Sequence, residues 1–296
     1  MIRYLKHTIP TLLFFVLFLS CNSRKEAGPF EGIHLDKNKI QFINNIEYGP
    51  NSKQALDIYL PANRTDSTRV LFYIHGGGWC AGDKDEAAFF SDYFLQAGYA
   101  FISIGYRLTN TRENNYLPEQ LADVSKAIDF SLKYSNLLRV SNKKSIIMGC
   151  SAGAHLSLLY AYSAENAGKI KAAIAVATPT DLTDTIFMKG AVWPGINGGT
   201  LITWLLKDSI TVNPLLWKKA SPVFSISSTS PPTYFIHGKN DGLIPFYHAS
   251  RAIELLNAKN IPSGISLVEN AGHDLLINDI FIHLNKAESF IRKNIP

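Results

Sequence analysis

Ser145-Ile146-Ile147-Met148-Gly149-Cys150-Ser151-Ala152-Gly153 joins a short apolar run to a G-x-S-x-G pentapeptide. The run reads as a buried strand, and the two glycines permit a strand-to-helix turn too tight for a side chain at either flank. Such a turn lifts the Ser151 hydroxyl out of the sheet edge and sets it at the N-terminus of the next helix, where the helix dipole favours negative charge. A lone pentapeptide of this kind is a weak signal. Its weight comes from what stands on either side.

Upstream, His75-Gly76-Gly77-Gly78-Trp79 follows the strand-like run Val70–Ile74. Three consecutive glycines leave backbone N–H groups uncovered, which suits a developing oxyanion. Downstream, Asp241 follows Tyr234-Phe235-Ile236-His237-Gly238, and His273 follows Ile265-Ser266-Leu267-Val268-Glu269. Serine, acid and histidine thus come in that order, each on a loop after a strand, which is the order of the α/β-hydrolase fold.

With HGGGW at His75–Trp79, GYRL at Gly105–Leu108, GCSAGAHL at Gly149–Leu156, SPPTYFIHGKNDGLIP at Ser230–Pro245 and NAGHD at Asn270–Asp274, the chain resembles the hormone-sensitive-lipase-like esterases. Within them it is most similar to the bacterial acetylxylan and feruloyl esterase-like branch. The resemblance runs from about Ile46 to the C-terminus. It implies a mostly parallel central sheet with helices on both faces, a small cap insertion, and no cofactor. It also implies a nucleophile Ser151, a base His273 and an acid Asp241, with an oxyanion hole from the N–H groups of Gly77, Gly78 and Ala152. Trp79 is expected to line the pocket or anchor the glycine loop. Some members of the fold take their acid from the strand before the cap, which leaves Asp181 as an alternative to Asp241. His75 is expected to brace the loop, His155 to point away from the turn, His237 to be structural, and Asp274 to point elsewhere. Arg107 and Asp123 are expected to pair beneath the site.

Several runs are apolar throughout: Val70–Ile74, Ala100–Ile104, Ile146–Met148, Ala172–Ala177 and Tyr234–Ile236. Strands covered on both faces by helices read this way, so a parallel sheet is expected. Ile40–Glu47 and Ala55–Leu60 alternate more and suggest an antiparallel beginning. Helical periodicity marks Pro118–Leu132, with further helices over Ala152–Ala164, Ala249–Leu256 and Ile277–Ile291. The rhythm breaks between Asp181 and Ser221, where Trp193, Trp204 and Trp217 supply three of the chain's 4 tryptophans. There Pro194-Gly195-Ile196-Asn197-Gly198-Gly199 reads as flexible. This is the expected cap, 181–221. Its tryptophans either stack on a sugar or aryl ring, Trp193 being the candidate pocket residue, or pack the cap onto the sheet.

The first twenty residues stand apart from the fold. Arg3 and Lys6 precede the apolar run Leu12–Leu19, which is too short for a membrane span of about 20 residues. Ser20-Cys21 and a polar linker follow. The pattern resembles a bacterial lipoprotein signal over residues 1–20, cut before Cys21, which would carry the lipid and anchor the chain to a membrane. The other reading is an ordinary signal peptide. Both predict export, with 21–38 as linker and 39–296 as the catalytic domain. The formal net charge of +5 includes Arg3 and Lys6, and no basic stripe argues for nucleic acid. Cys80 and Cys150 are expected as free thiols, and no His or Cys pair stands at metal-ligand spacing.

The expected activity is hydrolysis of short acyl esters, such as acetyl or feruloyl groups on xylan-like polysaccharide. Two other readings stay open: an amidase, arylformamidase or peptidase-like hydrolase on the same scaffold, and an inactive carbohydrate-binding protein.

Overall fold

In a computed structural model, residues 28–274 and 280–296 are described. The chain divides into two units, Met1–Ile33 and His34–Pro296. In the first, residues 28–33 form a turn closed by the Glu31 N–H on the Gly28 carbonyl at 2.8 Å. The signal segment and Cys21 lie outside the described residues, as do the first residues of the helix expected from Ile277.

The second unit is built on an eight-stranded sheet. Its strands are β1 (Gln41–Glu47), β2 (Ala55–Leu60), β3 (Val70–Ile74), β4 (Ala100–Ile104), β5 (Ser145–Cys150), β6 (Ile170–Val176), β9 (Thr233–Gly238) and β10 (Ser263–Val268). They lie in the order β1-β2-β4-β3-β5-β6-β9-β10. The first two strands are antiparallel, and every pair from β4 to β10 is parallel. The loops that follow β3, β5, β9 and β10 therefore leave the sheet from one edge, where ligands of such sheets bind.

Helices cover both faces, which is why the central strands carry no alternating polar residue. On one face α1 (Ala88–Gln96) and α9 (Ile280–Asn294) pack Phe94, Leu284, Ala287 and Ile291 onto Leu71, Ile146, Ile174 and Ile236. On the other, α4 (Ala152–Tyr162) lies against β3, β5 and β6, and α2 (Leu117–Lys133) stacks on α4. A short α3 (Ser135–Leu138) leads from α2 towards β5, and α8 (Tyr247–Asn257) packs beside β10. All eleven residues of α4 are buried, so it has no solvent face. Each fully buried Leu or Ile in these layers contributes about 1.5–3 kcal/mol relative to exposure.

The cap replaces the direct β6–β9 connection. It comprises α5 (Thr185–Lys189), the hairpin β7 (Ala191–Trp193) and β8 (Ile196–Asn197), α6 (Gly198–Leu206) and α7 (Pro214–Lys219). The glycine-rich stretch 194–199 is thus not a flexible loop. Pro194 and Gly195 turn the hairpin, and the Asn197 side chain caps α6 by accepting the Thr200 N–H at 2.9 Å. Both cysteines among the described residues, Cys80 and Cys150, are free thiols.

Candidate active site

Ser151 sits between β5 and α4 with φ 51° and ψ −118°, a conformation a serine keeps only when its surroundings enforce it. Two hydrogen bonds hold the turn: the Ser151 N–H to the Val176 carbonyl at 2.8 Å and the His155 N–H to the Ser151 carbonyl at 3.0 Å. Gly153 lets α4 close onto the sheet. A Cβ there would lie 2.2 Å from the Ile74 carbonyl oxygen, which is backbone and cannot give way.

His273 Nε2 lies 3.0 Å from Ser151 Oγ, and His273 Nδ1 lies 2.8 Å from Asp241 Oδ2. With the Nδ1 proton donated to the carboxylate, Nε2 carries the lone pair that accepts from the serine hydroxyl. The other carboxylate oxygen, Asp241 Oδ1, accepts the N–H groups of Leu243 and Ile244 at 2.9 and 2.8 Å. Burial opposes the Asp241 charge, but hydrogen bonds from His237 and His273 outweigh it and hold the carboxyl well below the usual carboxylate range.

The glycine loop is folded back on itself. The Cys80 and Ala81 N–H groups both donate to the Gly77 carbonyl, at 3.2 and 2.9 Å. Gly77 has φ 102°, and a Cβ on it would meet the Ala81 carbonyl oxygen at 2.2 Å, so no other residue fits. Among the described residues, the N–H groups of Gly77 and Gly78 find no acceptor. Ala152 opens α4, so its N–H has no partner within the helix. These three donors are the free backbone groups that the sequence singled out.

Trp79 both lines the pocket and pins this loop. It is 2% exposed and left-handed at φ 63°. Its Nε1–H donates to His155 Nδ1 at 3.2 Å, and its carbonyl accepts the Thr109 N–H at 2.7 Å and Gln120 Nε2 at 2.8 Å. His155, with its Nδ1 so engaged, donates Nε2–H to the Ala220 carbonyl at 2.7 Å, at the far end of the cap. His75 braces the loop from below, donating Nδ1–H to the Gly76 carbonyl at 2.8 Å and stacking on Tyr106. Burial lowers both His75 and His155 to about 4, so both rings are neutral.

Between these groups lies a cavity of about 190 Å3 with Ser151 and His273 at its wall. Its other walls are apolar: Phe187, Val192, Trp193 and Leu201 from the cap, and Leu243 and Ile244 from the loop bearing Asp241. Trp193 is 38% exposed and closes over Gly78. Trp217, by contrast, packs the cap, at 1% exposure with Nε1–H on the Asp208 carbonyl. Apart from the His273 imidazole, no titratable side chain among the described residues lines it, so it suits an uncharged acyl group.

The remaining candidates fall elsewhere. Asp181 is held by Arg251 and Thr183 and makes no bond to His273. Asp274 is exposed beside His273. Arg107 grips Asp123 with two bonds, Nε to Oδ2 at 2.9 Å and Nη2 to Oδ1 at 2.7 Å. His237, expected to be structural, reaches the site: its Nε2 lies 2.8 Å from the Ile244 carbonyl and 3.3 Å from Asp241 Oδ2. Gln120 and Thr109 carried no sequence signal, because their contact with Trp79 is made only by the fold. Cys150, next to the nucleophile, is inert: burial pushes its thiol up to about 12.

A strained serine at a strand-to-helix turn, a parallel sheet and this order of site residues define the α/β-hydrolase class. The chain belongs to the BD-FAE family, whose model matches residues 56–256. Among curated proteins it is similar to the probable carboxylic ester hydrolase LipM of Mycobacterium tuberculosis, at 28% identity over 246 residues, which is 78% of this chain and 55% of LipM. The chain spans about half the length of the curated relatives it matches. Among solved structures, a truncated form of carbohydrate esterase from gut microbiota superposes with a TM-score of 0.71 at 20% identity, over 88% of this chain and 99% of that one. Thermogutta terrifontis esterase 2 phosphoramylated by tabun gives 0.68 at 19% identity, over 88% and 98%.

Proposed function

We propose that this protein is a serine carboxylic-ester hydrolase that removes short acyl groups, such as acetyl or feruloyl, from xylan-like carbohydrate. The observation that carries this is the unbroken hydrogen-bonded chain from Ser151 through His273 to Asp241, at the wall of a small uncharged cavity. Ser151 Oγ attacks the ester carbonyl while His273 Nε2 takes its proton. The carbonyl oxygen becomes an oxyanion facing the N–H groups of Gly77, Gly78 and Ala152, each such donor being worth about 3–4 kcal/mol in the transition state. The leaving alkoxide takes the proton from His273. Water then repeats the sequence on the acyl-enzyme, releasing the acid and restoring Ser151. Asp241, charged throughout, holds the imidazole in the tautomer this needs and stabilises the imidazolium.

The similarity to LipM and to the two esterase structures supports the reaction class, and the gut carbohydrate esterase supports the choice of alcohol. Hydrolysis of p-nitrophenyl acetate, butyrate and octanoate, with p-nitroacetanilide as the amide control, tests it. Acetate and butyrate are expected to react about tenfold faster than octanoate, because the cavity lacks room for a long chain and one or two misplaced methylenes suffice for such a ratio. The anilide is expected to stay intact. Turnover of the anilide alone would replace the esterase reading with the amidase one. Export with a lipid on Cys21 belongs to the same proposal, supported by the apolar run Leu12–Leu19 before Ser20-Cys21. Metabolic labelling with a radioactive fatty acid is expected to mark the protein and to fail for Cys21→Ser; equal labelling of both rules out this anchor.

A further inference from the structure

The cap carries a second cavity, of about 350 Å3, on the flank of α6. Its rim bears Asn197, Thr200, Thr203, Ser209 and Thr211, with the half-open Trp204 indole beside them and the buried Trp217 behind. None of the described residues lining it is charged. Trp204 is 40% exposed, so part of its indole is open at the groove.

Several hydrogen-bonding groups at this rim are held by bonds of their own, Thr203 Oγ1 donating to the Gly199 carbonyl at 2.8 Å. Asn197 Oδ1 accepts from the Thr200 N–H at 2.9 Å and from Thr200 Oγ1 at 3.1 Å, which turns its Nδ2 away from the helix. Among the described residues, neither Asn197 Nδ2 nor Trp204 Nε1 has an acceptor. The Ser209 and Thr211 hydroxyls share one bond at 3.0 Å and keep lone pairs for another partner. A half-open indole beside neutral donors and acceptors matches a ligand with apolar C–H faces and a rim of hydroxyls. The absence of any cation or anion is poor provision for a phosphate, a carboxylate or a charged peptide, each of which needs its charge compensated.

The same short elements serve both cavities. Leu201 of α6 faces the catalytic pocket while Thr200, Thr203 and Trp204 face the groove; Phe187 of α5 faces the first and Met188 the second. One helix, about 10–12 Å across with its side chains, therefore separates them. We propose that the groove binds a neutral glycan segment, holding the sugar chain whose ester is presented to Ser151. This deepens, and in its last clause rests on, the carbohydrate-ester reading above.

The test uses the full chain and its Trp204→Ala and Thr211→Arg variants, the second blocking the rim while keeping the indole. Xylohexaose, cellohexaose and mannohexaose are titrated by calorimetry, and kinetics are measured on p-nitrophenyl acetate and acetylated xylo-oligosaccharides. At least one hexaose is expected to bind the wild type and to lose about tenfold in affinity in both variants, the fold-change that one aromatic contact supplies. The KM for the acetylated oligosaccharide is expected to rise by a similar factor with kcat little changed, while p-nitrophenyl acetate turnover stays within about twofold. No binding of any hexaose, or equal binding by all three proteins, overturns the groove. So does Trp204-dependent binding to phosphatidylglycerol vesicles in place of sugar. Trp204-dependent hexaose binding by a protein that leaves acetylated glycans intact upholds the groove and overturns the substrate reading instead.

Discussion

Ser151→Ala is expected to lower kcat on p-nitrophenyl acetate by about a millionfold, the scale of removing the nucleophile from a triad that acts as a unit. The side chain's one hydrogen bond is to His273 Nε2, at 3.0 Å, so nothing else in the fold depends on the hydroxyl. Alanine accepts the same backbone angles as serine, and the bonds that hold the turn are made by main-chain groups. Stability is therefore expected to stay within about 0.5 kcal/mol, as for a substitution that touches no packing feature. What remains is the rate given by oriented donors and binding, about 10³–10⁴ above water. Stopped-flow kinetics beside thermal melts of both proteins check the two halves. A variant that folds normally and keeps more than about a hundredth of the rate would remove Ser151 from the mechanism.

Acid is expected to unfold the protein well above the pH that titrates ordinary carboxylates. His75, His155 and His248 are 1%, 0% and 1% exposed, and burial lowers each from 6.5 to about 4. The cause is geometric as well as dielectric. His155 Nδ1 faces the Trp79 indole N–H, and His248 Nδ1 faces the N–H groups of Thr180 and Asp181, so a proton on either nitrogen would meet a donor. Asp184 Oδ1, 3.8 Å from His248 Nε2, only partly offsets that burial. Between about pH 6.5 and 4 the unfolded chain binds these three protons and the native one does not, so stability falls as pH falls through that window. Each histidine contributes a slope of about 1.4 kcal/mol per pH unit, and three give about 4, against a typical total of about 5–15 kcal/mol. The melting temperature is expected to drop by more than about 10 °C between pH 7.5 and 5. A melting temperature that is level down to pH 4 would contradict this. His155→Gln, which offers both a donor and an acceptor without titrating, is expected to remove about a third of the slope.

The sheet and the site were legible because they are written locally. Val70–Ile74 and Ala100–Ile104 are strands at the bounds their apolar runs predict, Ser151 directly follows β5, and Asp241 and His273 stand in the loops after β9 and β10. The antiparallel beginning was legible from alternation in β1 and β2. Helix α1 escaped notice because Phe89, Phe90, Tyr93 and Phe94 crowd two faces of one short helix and blur its period. The cap's interior escaped it for a different reason. Asn197-Gly198-Gly199 has the composition of a loop, yet Asn197 acts as a helix cap, and only the partner N–H of Thr200 distinguishes the two. The contact of His237 with Asp241 and the pinning of Trp79 join residues through the fold, beyond the reach of any local pattern.

The cap is stitched shut where it leaves the sheet. The Leu182 N–H donates to Ser221 Oγ at 2.8 Å and the Val223 N–H to the Thr180 carbonyl at 3.1 Å, so its two ends lie side by side. Ser151, Asp241 and His273 hang from β5, β9 and β10, outside those stitches, whereas Phe187, Val192, Trp193 and Leu201 lie within them. The hydroxyl, imidazole and carboxylate and most of the pocket's upper wall thus come from separate stretches of chain. Modularity is the consequence: the segment between Thr180 and Ser221 bounds the pocket as a single closed loop, tied to α4 through His155 Nε2 on the Ala220 carbonyl, while Ser151, Asp241 and His273 hang from the sheet.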